Sequence, residues 1–360
     1  MFDIAIIGAG LSGLSLAVRL QDGKRNVAVF EARDRCGGRI LTHTVHDPNL
    51  ALDLGPTWLW PDQQPRIAKL AQQLNLRLFP QWDQGHSLYQ LDARQAPSLY
   101  IDVETHVGSR RIDGGCEQLI RGLQQLLPRQ STLLGHQLLS LTDRNTHIDL
   151  EFATAQGQNH VQARQVVLAA PPRLLEDSIN FKPSLSPKFM QLLRDTPTWM
   201  AGHAKAFAVY EKPFWRQFGF SGNGQLRYPG AILAELYDAC PPNRQAAALF
   251  GFFGIPAAVR GYYRENLEEL IIQQLTGLFG EQAANPVQII IQDWSTETFT
   301  ARSEDQISPS THPAYGHPLL QLDHWHDKLY FCGTETASHE GGYMEGALES
   351  AERVYNALTL

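Results

Sequence analysis

Cysteine, basic excess and long apolar runs are all scarce in this 360-residue chain. The four cysteines, Cys36, Cys116, Cys240 and Cys332, are scattered and form no C-x-x-C pair. That argues against a zinc site and a disulfide framework, so no metal is expected and a reducing compartment fits. Lys and Arg total 30 against 37 Asp and Glu, a net charge of -7. No basic block of the kind that neutralises phosphate backbones is present, so nucleic acid is not an expected partner. No apolar run approaches the about 18–20 residues of a membrane span. The N-terminus enters an apolar run at once, without a basic region and cleavable segment. The expectation is a cytoplasmic protein with no membrane association. Hydrophobic residues make up 43% of the chain and charged residues 19%, enough apolar surface for a sizeable core. The length fits two domains, or one large α/β unit with an insertion.

The apolar run over residues 2–7 reads as a buried parallel strand. It leads into Gly8-Ala9-Gly10-Leu11-Ser12-Gly13, then a helical segment ending before Gly23. A second strand over residues 27–30 ends in Glu31, at about the 20-residue distance of a dinucleotide fingerprint. In this pattern Gly8 makes the tight turn, Gly10 lets backbone N–H groups approach a pyrophosphate, and Gly13 lets helix pack on strand. The helix start at Leu11 and Ser12 stabilises phosphate charge. Glu31 can accept ribose hydroxyls. The unit alone does not separate NAD from FAD.

A second fingerprint follows directly, EARDRCGGR at 31–39. Ala32 continues the turn past Glu31. Arg33 and Arg39 place cations within reach of a diphosphate, and Gly37 and Gly38 permit close approach of backbone to a flat ring. Near the other end, residues 329–332 read as a strand end. Gly333-Thr334-Glu335 is a turn whose Glu335 can accept a ligand hydroxyl. Gly341-Gly342-Tyr343-Met344 opens a helix whose N-terminus favours negative charge on a bound group.

These motifs resemble those of the flavin-containing amine oxidase family, which includes monoamine, polyamine and L-amino-acid oxidases. The chain looks like a short, bacterial-type member. The resemblance is spread along nearly the whole chain: EARDRCGGR, the segment starting DLGPTWLW at 53, RIDGGCEQLIRGL at 111–123, VVLAAPPRLL at 166–175, HAKAFAVYEKPFW at 203–215, and YFCGTETASHEGGYMEGALESAERV at 330–354. It implies FAD as cofactor. It places Gly55, Pro56, Thr57 and Trp58 beside the flavin, with the Pro171 turn and Trp294. It also implies that the Met344 N–H points at the flavin N1/C2=O edge. Lys205 matches the lysine that holds a water against flavin N5 and assists reaction with oxygen. That role requires Lys205 to point inward, where desolvation lowers its pKa.

The resemblance also has departures. Tyr343 matches one of two flavin-facing tyrosines of the family's aromatic cage. Counting from Trp294 puts Ser303 where animal monoamine oxidases carry a flavin-linking cysteine, so FAD should be bound non-covalently. Glu304 falls at the second cage position, where its charge could attract a cationic group or simply face solvent. Trp58 and Trp60 are further pocket candidates. Pro56 replaces the usual second glycine of DLGG and removes one N–H beside the ring. The stretch between Leu76 and Arg111 is short for the family, which suggests a trimmed cap.

The implied fold is α/β: a Rossmann-like FAD-binding domain of the glutathione-reductase/amine-oxidase type, interleaved with an α+β substrate domain built on a mixed sheet. The expected boundaries are 1–75, 108–194 and 297–360 for the FAD domain, and 76–107 and 195–296 for the substrate domain. Strands of a second sheet are expected over 205–210, 231–237, 247–253 and 287–294. Helices are expected over 65–74, 117–127 and 267–279. A turn over 156–159 should return a strand at 147–152. The expected activity is oxidation of an amine C–N bond by hydride-equivalent transfer to flavin N5, with O2 as acceptor and H2O2 as product. A flavin dehydrogenase or desaturase acting on a non-amine, a flavoprotein without turnover that binds a partner, and an NAD-dependent dehydrogenase remain alternatives.

Overall fold

The computed structural model describes all residues except 22, 47–49, 243–245, 308, 310 and 360. Phe2–Ile7 is a strand paired in parallel on both edges, and Ile4 to Ile7 are buried because Ile4 and Ile6 meet one core and Ala5 and Ile7 the other. On one side lies Val27–Phe30, in register Ile4↔Val27 to Ile7↔Phe30. On the other lies the long strand Gly157–Leu168, in register Ala5↔Val166 to Ile7↔Leu168. Leu329–Phe331 also pairs with this long strand in parallel. The sheet runs Asn180–Lys182, Gln137–Asp143, Ile148–Thr154, Gly157–Leu168, Phe2–Ile7, Val27–Phe30, Thr132–Leu133. The return after Ile148–Thr154 is tighter than the sequence suggests. Thr154 pairs with Gly157, whose φ of 110° lets the next strand begin at once.

Both faces of this sheet are covered. The helix Leu11–Arg19 packs with the C-terminal helix Met344–Thr359 on one face, through Leu14, Leu16, Leu348 and Ala351. On the other, Leu175, Phe189 and Leu193 from the helices Pro172–Ser178 and Pro187–Asp195 meet Leu141, Leu150 and Phe152. The two ends of the chain therefore share one core.

The second sheet has seven strands, in the order Gln288–Asp293, Ala204–Tyr210, Ala247–Phe253, Leu233–Asp238, Phe220–Leu226, His86–Gln90, Ser98–Ile101. Only Phe220–Leu226 and His86–Gln90 pair in parallel. Phe220–Leu226 is not legible in the sequence, because its two glycines and asparagine are weak strand formers. The strand Ala204–Tyr210 is buried along its whole length. Its Ala206 and Ala208 share a core with Ile271 and Leu275 of the helix Leu267–Phe279. Phe207 and Val209 point the other way, into a core with Leu50, Leu52 and Leu54. Lys205 belongs to that second set by the period of two. Among the described residues no helix is long and apolar enough to cross a membrane.

Candidate active site

One cavity of about 640 Å³ runs between the two sheets. At one end the turn after the first strand opens onto it. Gly8 sits at φ 111°, and a Cβ on Gly13 would lie 2.0 Å from the Gly8 carbonyl oxygen. Gly13 therefore does not line the cavity; it holds helix against turn. A Cβ on Gly10 would instead find nothing closer than the Gly37 carbonyl at 4.0 Å. That space is open to the cavity, which Gly8, Gly10, Leu11 and Ser12 line. The helix start carries no side-chain cap, so its backbone donors face this space. Glu31 is buried here, and its carboxylate accepts from Ala9 N at 2.8 Å and Arg33 N at 3.0 Å.

Ala32, Arg33, Gly38 and Arg39 line the next stretch. The two cations are more tied down than the sequence suggests. Arg33 donates to Thr300 Oγ1 at 2.8 Å and to the Phe299 carbonyl at 3.3 Å. Arg39 grips Glu335 through both nitrogens, at 2.7 and 3.1 Å. Glu335 is fully buried and so has a charge partner inside the protein. Gly333, Gly342, Tyr343 and Met344 complete this wall with Pro171. The C-terminal helix begins at Met344, so a second helix N-terminus meets the same cavity.

Lys205 reaches across from the second sheet. It is 4% exposed, and its Nζ donates to the carbonyls of Asp53 at 3.0 Å and Gly55 at 2.5 Å and to Thr57 Oγ1 at 2.6 Å. All three donors of an ammonium are thereby used. Burial lowers its pKa to about 7, against the pull of nearby Asp53. The rings of Phe250 and Phe252 lie 5.0 Å from Nζ. Gly55, Pro56, Thr57 and Trp58 line the cavity beside it. Trp294 lines it too, and its indole N–H donates to the Leu54 carbonyl at 3.0 Å.

Beyond Lys205 the walls change character. Trp58 packs against His106, ring centroids 4.0 Å apart, and Trp60 meets the same histidine edge-on at 6.0 Å. Trp199, His203 and Glu235 join them. Desolvation lowers the pKa of both His106 and His203. The sequence reading missed these residues, and only His203 left a local trace. It lies two positions before Lys205 and so shares its face. His106 sits after the short hairpin, Trp199 in a turn before the lysine strand and Glu235 in a separate strand, so no common motif joins them.

Glu304 does not line this cavity, which corrects its placement in the substrate pocket and leaves the solvent-facing alternative. It is exposed, in the short turn Ser303–Gln306, and its Oε2 accepts from the Ser303 hydroxyl at 2.9 Å. Ser303 is exposed as well. The cause is Asp305, 3% exposed, which accepts from Arg302 N at 3.0 Å and Thr198 N at 3.3 Å and binds Arg173. With Asp305 turned inward, its two predecessors face water. Arg302 lines the cavity instead. None of the four cysteines lines it, and all four are free and buried.

Residues 90–358 match the family described as "Flavin containing amine oxidoreductase", and residues 6–74 match an NAD(P)-binding Rossmann-like domain. Flavin-containing amine oxidase B of Sus scrofa is 28% identical to the chain, over 98% of this chain and 85% of the pig protein. The Homo sapiens amine oxidase B is 27% identical over the same shares. Among solved structures, cyclohexylamine oxidase from Brevibacterium oxydans superposes with a TM-score of 0.80 at 19% identity, covering 99% of this chain and 98% of that one. Wild-type putrescine oxidase bound to putrescine gives 0.79 at 20% identity, covering 99% of each chain. The chain belongs to the flavin-containing amine oxidoreductase family. It is an oxidoreductase of the amine oxidase type, with the flavin cofactor that membership implies.

Proposed function

We propose that the protein is an amine oxidase that binds FAD non-covalently in the inter-sheet cavity and oxidises a small amine at a C–N bond. The observation that carries this reading is the buried Lys205, held against the Asp53–Thr57 segment in a cavity that the helix starts at both ends of the chain also face. The residues present suit an FAD molecule. The open space over Gly10 suits a diphosphate, Glu31 a ribose, and the Met344 helix start the electron-rich edge of the reduced ring. The absence of a lining cysteine supports non-covalent binding. When bound, FAD supplies the hard step, taking a hydride equivalent from the carbon beside nitrogen and passing the electrons to O2 as H2O2.

The chain's own groups prepare that step. Trp58 and Trp60 form apolar walls that exclude water from the reacting carbon. Tyr343, stacked on His312 with rings 5° from parallel at 5.2 Å, is a fixed wall on the other side. The neutral His106 and His203 do not repel an amine. Lys205 is charged below about pH 7. Above that, its neutral amine keeps two N–H donors for the Asp53 and Gly55 carbonyls. Its lone pair can then accept from the Thr57 hydroxyl or from a water serving the oxygen half-reaction. The strands of the second sheet fall within 86–101 and 204–293, which supports a substrate domain over 76–107 and 195–296. Free, scattered cysteines support a cytoplasmic setting.

Anaerobic titration of the purified yellow protein with monoamines, diamines and amino acids tests the reading. Bleaching of the flavin by an amine, with H2O2 on readmission of air, is the expected result. A flavin that no amine bleaches overturns it and favours a dehydrogenase of a non-amine substrate.

A further inference from the structure

The cavity is lined by three carboxylates: Glu31, Glu235 and Glu335. Two of them are closed off. Glu31 accepts from two backbone N–H groups, and Glu335 is clamped by Arg39. Glu235 is different. Its side chain stays 30% exposed, and its contacts are the Tyr237 hydroxyl at 2.8 Å and a half-exposed Arg227 at 3.5 Å.

The backbone aims Glu235 into the cavity by a local irregularity. The strand Leu233–Asp238 pairs with Ala247–Phe253 so that Leu233 faces Phe253 and Glu235 faces Phe252. Two steps on one strand match one step on the other, which is a β-bulge with Ala234 as the extra residue. Ala234 and Glu235 consequently both line the cavity, where regular alternation would send them to opposite faces. The register then fixes the distance to the chemistry. Phe252 also pairs with Lys205, so Lys205, Phe252 and Glu235 form one row across three adjacent strands. Two inter-strand spacings separate the ends of that row at about 10 Å between Cα atoms.

Resting on the amine-oxidation reading, we infer that Glu235 binds a second, protonated nitrogen of the substrate, so that the preferred substrate is an aliphatic diamine and not a monoamine. The nitrogen beside Lys205 enters neutral while the far nitrogen stays charged. Trp58, Trp60 and Phe252 cover the methylenes between them. Desolvation lowers the pKa of both histidines at this end, so they add no competing positive charge near neutral pH, and Glu235 is the acceptor the cavity offers there. Arg227 sits at the edge, and an ammonium 2.8 Å from Glu235 would outcompete a 3.5 Å contact that is half in water.

The test compares 1,4-diaminobutane with n-butylamine on the flavin-loaded protein and on Glu235→Gln. In the wild type kcat/KM for the diamine should exceed that for the monoamine about 10- to 100-fold, the scale of a charge-assisted hydrogen bond. Glu235→Gln should collapse that ratio toward one. A calorimetric titration with 1,4-diguanidinobutane, a dication that bypasses turnover, should show the same loss of affinity in the variant. A wild type without diamine preference overturns the inference, as does a variant that loses both substrates equally. The two readings fail differently. If monoamines bleach the flavin as well as diamines do, the assignment to Glu235 falls and amine oxidation stands. If no amine bleaches it, both fall.

Discussion

Along the first sheet the charges facing the cavity are answered by protein: Glu31 by backbone N–H groups and Glu335 by Arg39. Along the second sheet they are partnered too, but in states that pH or a ligand can change. Lys205 has a pKa lowered to about 7, and Glu235 is half-open on a bulge. The first region is a preformed mould whose donors are backbone N–H groups at helix starts. The second is a set of side chains from distant segments whose protonation and exposure are adjustable. Cofactor binding tolerates one arrangement across many chemistries, whereas substrate choice changes with single side chains.

Removing the clamps on each side sets the two regions against each other most strongly. Arg39→Ala strands the buried Glu335 and should cost about 3–5 kcal/mol, with loss of bound flavin. Arg216→Ala, opposite the fully buried Asp238 in the second sheet, should cost an amount toward the lower end of that range, because Trp215 Nε1 and Cys240 N still serve Asp238. Here the flavin should stay. Denaturant unfolding alongside flavin absorbance reads both effects. A yellow, fully stable Arg39→Ala protein would erase the distinction.

The glycines divide the mould itself. Gly13→Ala should cost about 1–3 kcal/mol or more, since its Cβ would overlap the Gly8 carbonyl. Gly10→Ala should leave stability within about 0.5 kcal/mol, because the space is open, yet weaken flavin retention. Equal losses of stability in the two variants would show that Gly10 serves packing.

Lys205→Met should keep flavin bound but slow its reoxidation by oxygen, as followed by stopped-flow absorbance. The same variant carries a pH signature. The folded pKa of about 7 lies below the ordinary lysine value of about 10.5, so burying the ammonium penalises the wild type fully below pH 7. The penalty is relieved as pH rises from about 7 to 10.5, where the unfolded chain still binds the proton. The stability of wild type relative to Lys205→Met should therefore increase through that window. A flat difference would mean that Lys205 titrates normally. The smallest effect belongs to Glu304→Ala, which should change stability by less than about 0.5 kcal/mol and leave turnover untouched. A lost activity there would restore Glu304 to the site.

Much of the first region was readable residue by residue. The turn Gly8 to Gly13 and the Gly342–Met344 helix start are matters of backbone geometry, which glycine spacing reports directly, and Glu31 ends a strand at a fixed distance from that turn. The inward direction of Lys205 was only conditional, because alternation on a strand buried on both faces does not say which face meets the site. Glu304 was placed by counting on from Trp294 with no motif close by to fix the position, and buried Asp305 curls the segment into a turn that faces it to solvent.

The order of the motifs therefore determined the fold and the cofactor class, because each motif is encoded within a few neighbouring residues, and it marked Lys205 without fixing its direction. The bulge at Ala234, the row from Lys205 to Glu235 and the meeting of Trp58 with His106 were decided only by the folded chain. The first two depend on strand register between segments far apart in sequence, where a one-residue slip would turn the side chains to the opposite face, and the third joins two loops that no local pattern links.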